Sequence, residues 1–118
     1  MSSLPSRYVF LVVEQRLGVT RDEIASATRE RRVAHARHIL CWALKKYCRN
    51  ASDYPLSYKR IGQLTGRHPT TVIHSYYAAE RASAMSMLGE KRAKVRRELD
   101  GLERRSLRIS DLEAQPHA

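Results

Sequence analysis

The feature that most constrains this chain is the proline at position 69, three residues after Gly66 in the stretch SYKRIGQLTGRHPTTVIHS that runs from Ser57 to Ser75. Proline has a fixed φ and no backbone N–H, so it suits the first position of a helix and disrupts one almost anywhere later. Glycine is the residue type that most readily ends a helix in left-handed backbone. The pair predicts two helices meeting at a sharp turn. The first is capped by Ser57 and carries Ile61 and Leu64 on one face; the second opens at Pro69 and continues through Thr70, Thr71, Val72, Ile73 and His74. Small hydroxylated side chains occupy the first turn of that second helix. Such a tip fits a DNA major groove, where short donors and acceptors reach base edges and phosphates. Helix pairs with a glycine turn are common outside DNA-binding proteins, so charge has to discriminate.

Lys and Arg total 22 against 12 Asp and Glu, a formal charge of +10, which favours a polyanionic partner. A length of 118 residues with 42% hydrophobic content allows one domain with a modest core. The longest apolar run, Tyr8 to Val13, is far short of the roughly 20 residues that span a bilayer. No secretory signal is evident, so a cytoplasmic, nucleoid-associated protein without a membrane partner is expected. Cys41 and Cys48 are two helical turns apart, too far to bridge within one helix, and read as buried thiols. His35, His38 and Cys41 lack an accompanying CxxC or HxxxH pair, so no metal site is expected. No carboxylate pair or nucleophile motif suggests an enzyme, and no cofactor is implied; Glu14, Asp22, Glu23 and Glu80 read as surface or capping charges.

In chain order, residues 1–6 read as a flexible start. A helix is predicted from Arg7 to Leu17, with Tyr8, Leu11 and Val12 as its main core positions, joined by Val9 and Val13, and with Gly18 as its stop. Thr20 and Glu23 form a capping box that opens a short helix to about Ala27, anchored by Ile24 and Ala25. Thr28 to Arg32 reads as an arginine-rich loop; taken alone it is better read as a solvated charge run, although beside a helix-turn-helix such arginines can enter a minor groove or hold phosphates. A long helix from Val33 to about Cys48 offers Ala34, Ile39, Trp42, Ala43 and Tyr47 to the core, while Arg37, Lys45, Lys46 and Arg49 can face an anion. Asn50 to Pro55 is a loop by composition. The helix beginning at Pro69 is expected to continue to about Met87, with Gly89 as its stop and with Tyr76 and Tyr77 packing. From Glu90 to about Leu107, Val95, Leu99 and Leu102 keep helical spacing among many basic residues. No strand pattern is present, so the fold class is all-helical.

The stretch Ile61-Gly62, Gly66-Arg67 and Thr70-Thr71-Val72-Ile73-His74-Ser75 resembles the signature of the C-terminal DNA-binding domain of the DnaA replication initiators. The order of parts upstream is similar too, and the resemblance covers roughly Tyr8 to Arg81. It implies a small helical, Trp-repressor-like domain at 7–88; the basic amphipathic helix and tail at 89–118, read from their own spacing, are additional to it. It also implies roles. Arg29 falls on the loop arginine that enters the minor groove, with Arg31 nearby. Arg37, Lys45, Arg67, Thr71 and His74 fall on phosphate-holding positions, and His38 stands where the family usually has a glutamine that can do the same. Thr70 falls on a base-touching position, and His68 adjoins it at the major groove. The chain departs from the family at His68-Pro69, where an Asp-His pair is usual, and at Thr65, where the first of two glycines stands; proline has no side-chain or backbone donor, so the family's target box does not carry over.

The absence of a Gly-x-x-x-x-Gly-Lys-Ser/Thr segment removes nucleotide hydrolysis from the expected mechanism. The expected function is sequence-specific binding of double-stranded DNA, regulating replication initiation or transcription by occupying a site. The competing expectation is an adaptor whose helix at 90–107 binds a protein partner or a second copy of the chain.

Overall fold

The structure, a computed structural model, describes the backbone of residues 3–114 and the side chains of residues 3–106. It contains α1 (Ser6–Leu17), α2 (Arg21–Ala25), α3 (Arg31–Tyr47), α4 (Tyr58–Thr65), α5 (Pro69–Arg81) and α6 (Met87–Ala114). Among the described residues there is no strand; the only bridge is an isolated one between Arg49 and Pro55. The all-helical class expected from the sequence is the observed one.

The long α3 is the central rod. Its residues Val33, Ala36, Ile39, Leu40, Ala43 and Leu44 are buried almost completely because α1, α5 and α6 all pack around it. Ala34, expected in the core, is only half-buried. α3 also begins earlier than expected: Arg31 and Arg32 belong to its first turn. Basic residues at a helix start oppose the macrodipole. Arg32 offsets this by pairing with the Glu23 carboxylate and donating to Gly18 O at 2.8 Å.

On α1 the buried set is Val9, Phe10, Val12 and Val13, whereas Tyr8 and Leu11 are 42% and 47% exposed. Two neighbouring stripes satisfy the same helical spacing. Packing between α3 and α6 selects the one through Val9 and Val13. The Thr20–Glu23 capping box forms, but α2 ends at Ala25, which is exposed, and only Ile24 anchors it.

The α5 boundary also differs from expectation. α5 stops at Arg81, and Gly89 lies inside the first turn of α6 and does not end a helix. The reason is steric: a Cβ at Gly89 would collide with the backbone carbonyl of Ser83, so this crossing admits only glycine without rearrangement. Ser86 accepts from Gly89 N at 3.0 Å and starts the new helix.

From that turn α6 folds back on the domain. Val95 and Leu99 are fully buried against α1 and α3, a burial of about 1.5–3 kcal/mol for each side chain. Arg16 pairs with Glu98 at 2.7 Å, and Tyr47 donates its hydroxyl to Asp100 Oδ1 at 2.6 Å. Burial, and then that last contact, push the Tyr47 phenol well above its ordinary value, so it remains a donor throughout the physiological range. Cys41 and Cys48 are buried free thiols, with Cys41 pushed up to about 12 and Cys48 to about 11 by burial.

Candidate nucleic-acid interface

The helix-turn-helix is built from α4 and α5. Ser57 caps α4 by accepting from Arg60 N at 3.1 Å, and Gly66 ends it at φ 70°, where a side chain would be strained. Thr65 is buried and donates its hydroxyl to Ile61 O at 2.8 Å, so a threonine fits where the family usually has glycine. Gly62 cannot be exchanged so easily. A Cβ there would collide with the carbonyl of Arg67, which passes directly over the helix.

His68 is the N-cap of α5: its Nδ1 accepts from Thr70 N at 3.1 Å, with Pro69 following at the first helical position. An accepting Nδ1 requires the proton on Nε2, which leaves one ring donor uncommitted. Thr70 and Thr71 are exposed, as are His68 and His74. The tip is therefore open to a partner. Val72, Ser75 and Ala79 supply its buried side and fix its direction against α3.

Arg37 and Arg67 converge on the same place. Arg37 donates Nε–H to Ile24 O at 2.9 Å and an N–H to Thr28 O at 2.6 Å, with further bonds to the carbonyls of Glu23 and Ser26. Arg67 donates to Ile24 O at 2.7 Å and to Ser26 O at 3.2 Å. One arginine comes from the central rod, the other from the turn. Together they hold the end of α2 and the start of the loop at 26–30 against the helix-turn-helix. Among the described residues neither guanidinium has a carboxylate partner.

A cavity of about 200 Å³ lies beside this junction, with Arg37, His38, Arg67, Thr71 and His74 on its lining and Ile24, Leu40 and Cys41 beneath. Five side chains that the sequence singled out for phosphate contact are thus gathered on one surface. The His38 and His74 rings stand edge to face, 6.3 Å between centroids. His38 Nδ1 is buried with no hydrogen-bond partner among the described residues. Burial first, and then the neighbouring His74, His35 and Arg37, hold its pKa below the ordinary imidazole value.

Arg29, in the loop, and Arg31, opening α3, are both exposed and among the described residues have no carboxylate partner. Lys45 stands apart from the cavity: its ammonium donates to Leu56 O at 2.7 Å and sits 4.5 Å from the Tyr58 ring centroid. It buttresses the entry to α4. Tyr76 is half-buried against the core, whereas Tyr77 is 41% exposed with Arg81 over its ring.

Two contacts had not been anticipated. Trp42 donates Nε1–H to Glu80 Oε2 at 2.6 Å, so Glu80 is a tie between α3 and α5 and not merely a surface charge. Arg92 donates to Ala79 O at 2.6 Å and Ala82 O at 3.0 Å, capping the end of α5 from α6. No local signal marked this last contact, because Arg92 lies on the next helix, past the turn that follows Arg81.

An exposed, capped helix tip beside a loop whose Arg29 has no carboxylate partner among the described residues is the arrangement of a DNA-binding domain of the helix-turn-helix class. A family model for the bacterial dnaA protein helix-turn-helix matches residues 7–78, and the chain belongs to that family. No curated protein matches it. The family is a DNA-binding and not a catalytic one, and no described helix is long and apolar enough to cross a membrane. Among the described residues no group of three or more His, Cys, Asp or Glu could hold a metal ion.

Proposed function

We propose that this chain reads double-stranded DNA sequence-specifically, with the N-terminal turn of α5 in a major groove and Arg29 in the adjoining minor groove, and that occupancy of its site regulates replication initiation or transcription. The observation that carries this reading is the pair of arginine ties, which makes the α5 tip and the loop at 26–30 parts of one rigid surface. Thr70, Thr71 and His68 supply the base-facing donors and acceptors. Arg67, His38 and His74 supply phosphate contacts around the cavity, with Arg31 alongside Arg29. Arg37 serves chiefly by positioning, since its guanidinium is engaged with four backbone carbonyls.

The adaptor reading fits less well. The apolar stripe that a partner would grip includes Val95 and Leu99, and both are buried within the chain's own core. Among the described side chains of α6, a second copy or a protein partner would have to use the polar face.

Selection of bound sequences from a random duplex pool tests the proposal. The expected result is enrichment of one short box, bound with a log K against log salt slope of about −4 to −5 for some five phosphates. No enrichment, or a slope near −1, would contradict it.

A further inference from the structure

We infer that the second turn of α6 carries a further phosphate-gripping patch, in which Lys91 and Lys94 join Arg31 and lengthen the duplex footprint beyond the minor groove at Arg29. This rests on the duplex-binding reading above and extends it to a helix outside the matched residues 7–78.

The placement is geometric. Lys91 Nζ lies 3.1 Å from His35 Nδ1, so the start of α6 is seated directly on the first turns of α3. Arg31 opens that helix, and Arg29 lies two residues before it in the loop. Lys94 follows Lys91 at a three-residue step, hence on the same side of α6.

The charge arithmetic of this corner is one-sided. Arg32 is answered by Glu23 and Glu30, and Arg16 by Glu98. Among the described residues, Arg29, Arg31, Lys91 and Lys94 have no carboxylate within ion-pair distance. Lys94 does share a shallow groove with Glu98, whose carboxylate is taken by Arg16. The Lys91 pKa is lowered by burial, then by Arg32, Lys94 and Arg31, and its neighbour His35 is pushed down by burial, Lys91 and Arg31. Burial and the Lys91 charge both favour the neutral ring of His35. Like charges gathered this way repel, and a polyanion laid across them is the partner that relieves the repulsion. Regularly spaced phosphates running on from the loop meet that condition.

The test uses the full chain and a mixed-sequence duplex of about 30 base pairs, titrated across a range of salt. Lys91→Gln with Lys94→Gln should make the slope of log K against log salt shallower by about 1.8, some 0.9 for each lost phosphate contact. Arg104→Gln with Arg105→Gln removes the same charge roughly 18 Å further along α6 and should leave the slope unchanged. Because Lys91 abuts His35, Lys94→Gln alone is also measured: it should take about 0.9 from the slope at an unaltered melting midpoint. Slopes equal to the parent's would overturn the inference while leaving the duplex reading intact. So would equal losses in the two double variants, which would mean that net charge alone matters. A parent chain with no duplex affinity would overturn both.

Discussion

The two ends of α5 are treated in opposite ways. At its start, Gly66, His68 and Pro69 produce a capped tip on which Thr70 and Thr71 are exposed. At its end, Ala79 is buried, Arg92 of α6 caps the carbonyls, and the Gly89 crossing leaves no space for a side chain. Trp42 and Lys46 hold the intervening Glu80 to the central rod. One end is finished by the chain itself; the other is left to be finished by a ligand. A recognition element needs this division, because a probe that is pre-organised and firmly rooted loses little entropy when it binds. Stability and affinity should therefore separate along a helix of only 13 residues.

The largest effect is expected at the rooted end. Leu99→Ala empties a fully buried site against α1 and α3 and should lower stability by about 3 kcal/mol in urea unfolding, while the folded fraction keeps its DNA affinity within about twofold. A matched loss of affinity would show that α6 shapes the tip after all. Next come the two arginines that cap helix ends. Arg67→Ala and Arg92→Ala each remove charge-assisted bonds to carbonyls and should each cost roughly 2 kcal/mol. Only Arg67→Ala should also weaken DNA binding, by more than about tenfold, since it alone frees the loop from the turn.

At the open end, Thr71→Val should change stability by less than about 0.5 kcal/mol yet reduce affinity by about fivefold to tenfold, a difference readable by comparing thermal melts with duplex titrations. The smallest effect is in pH. His38 and His35 have folded-state pKa values below their unfolded ones, so the folded form favours the neutral rings. Stability is then full above about pH 6.5 and falls as pH drops through that value toward the lower folded pKa, where the loss levels off. His38→Gln should make this fall shallower, as checked by urea midpoints at neutral and mildly acidic pH.

Local signals carried much of this architecture. The capping box at Thr20, the left-handed stops at Gly18 and Gly66, and Pro69 at a first helical position each act within a few residues, and each stands where the sequence puts it. What depended on distant neighbours was not legible. The α1 stripe was chosen by two helices packing on it, and Gly89 marks a backbone crossing that periodicity cannot distinguish from a helix stop. The candidate surface divides the same way. That Arg29, Thr70 and His74 could face DNA follows from their positions in a motif, but that Arg37 is committed to backbone carbonyls required the fold. Nor could spacing show that Lys91 lies against His35, 56 residues away.

Groove-resolved interference on a selected duplex tests the joint surface most directly. Base modifications that block the major groove, and others that block the minor groove, are scored for loss of binding by the parent chain and by Arg29→Ala. One block of major-groove interference should appear with a minor-groove block about half a helical turn, roughly 5 base pairs, to one side, and only the minor-groove block should vanish in Arg29→Ala. Minor-groove interference that is absent, or that persists undiminished in Arg29→Ala, would contradict the account.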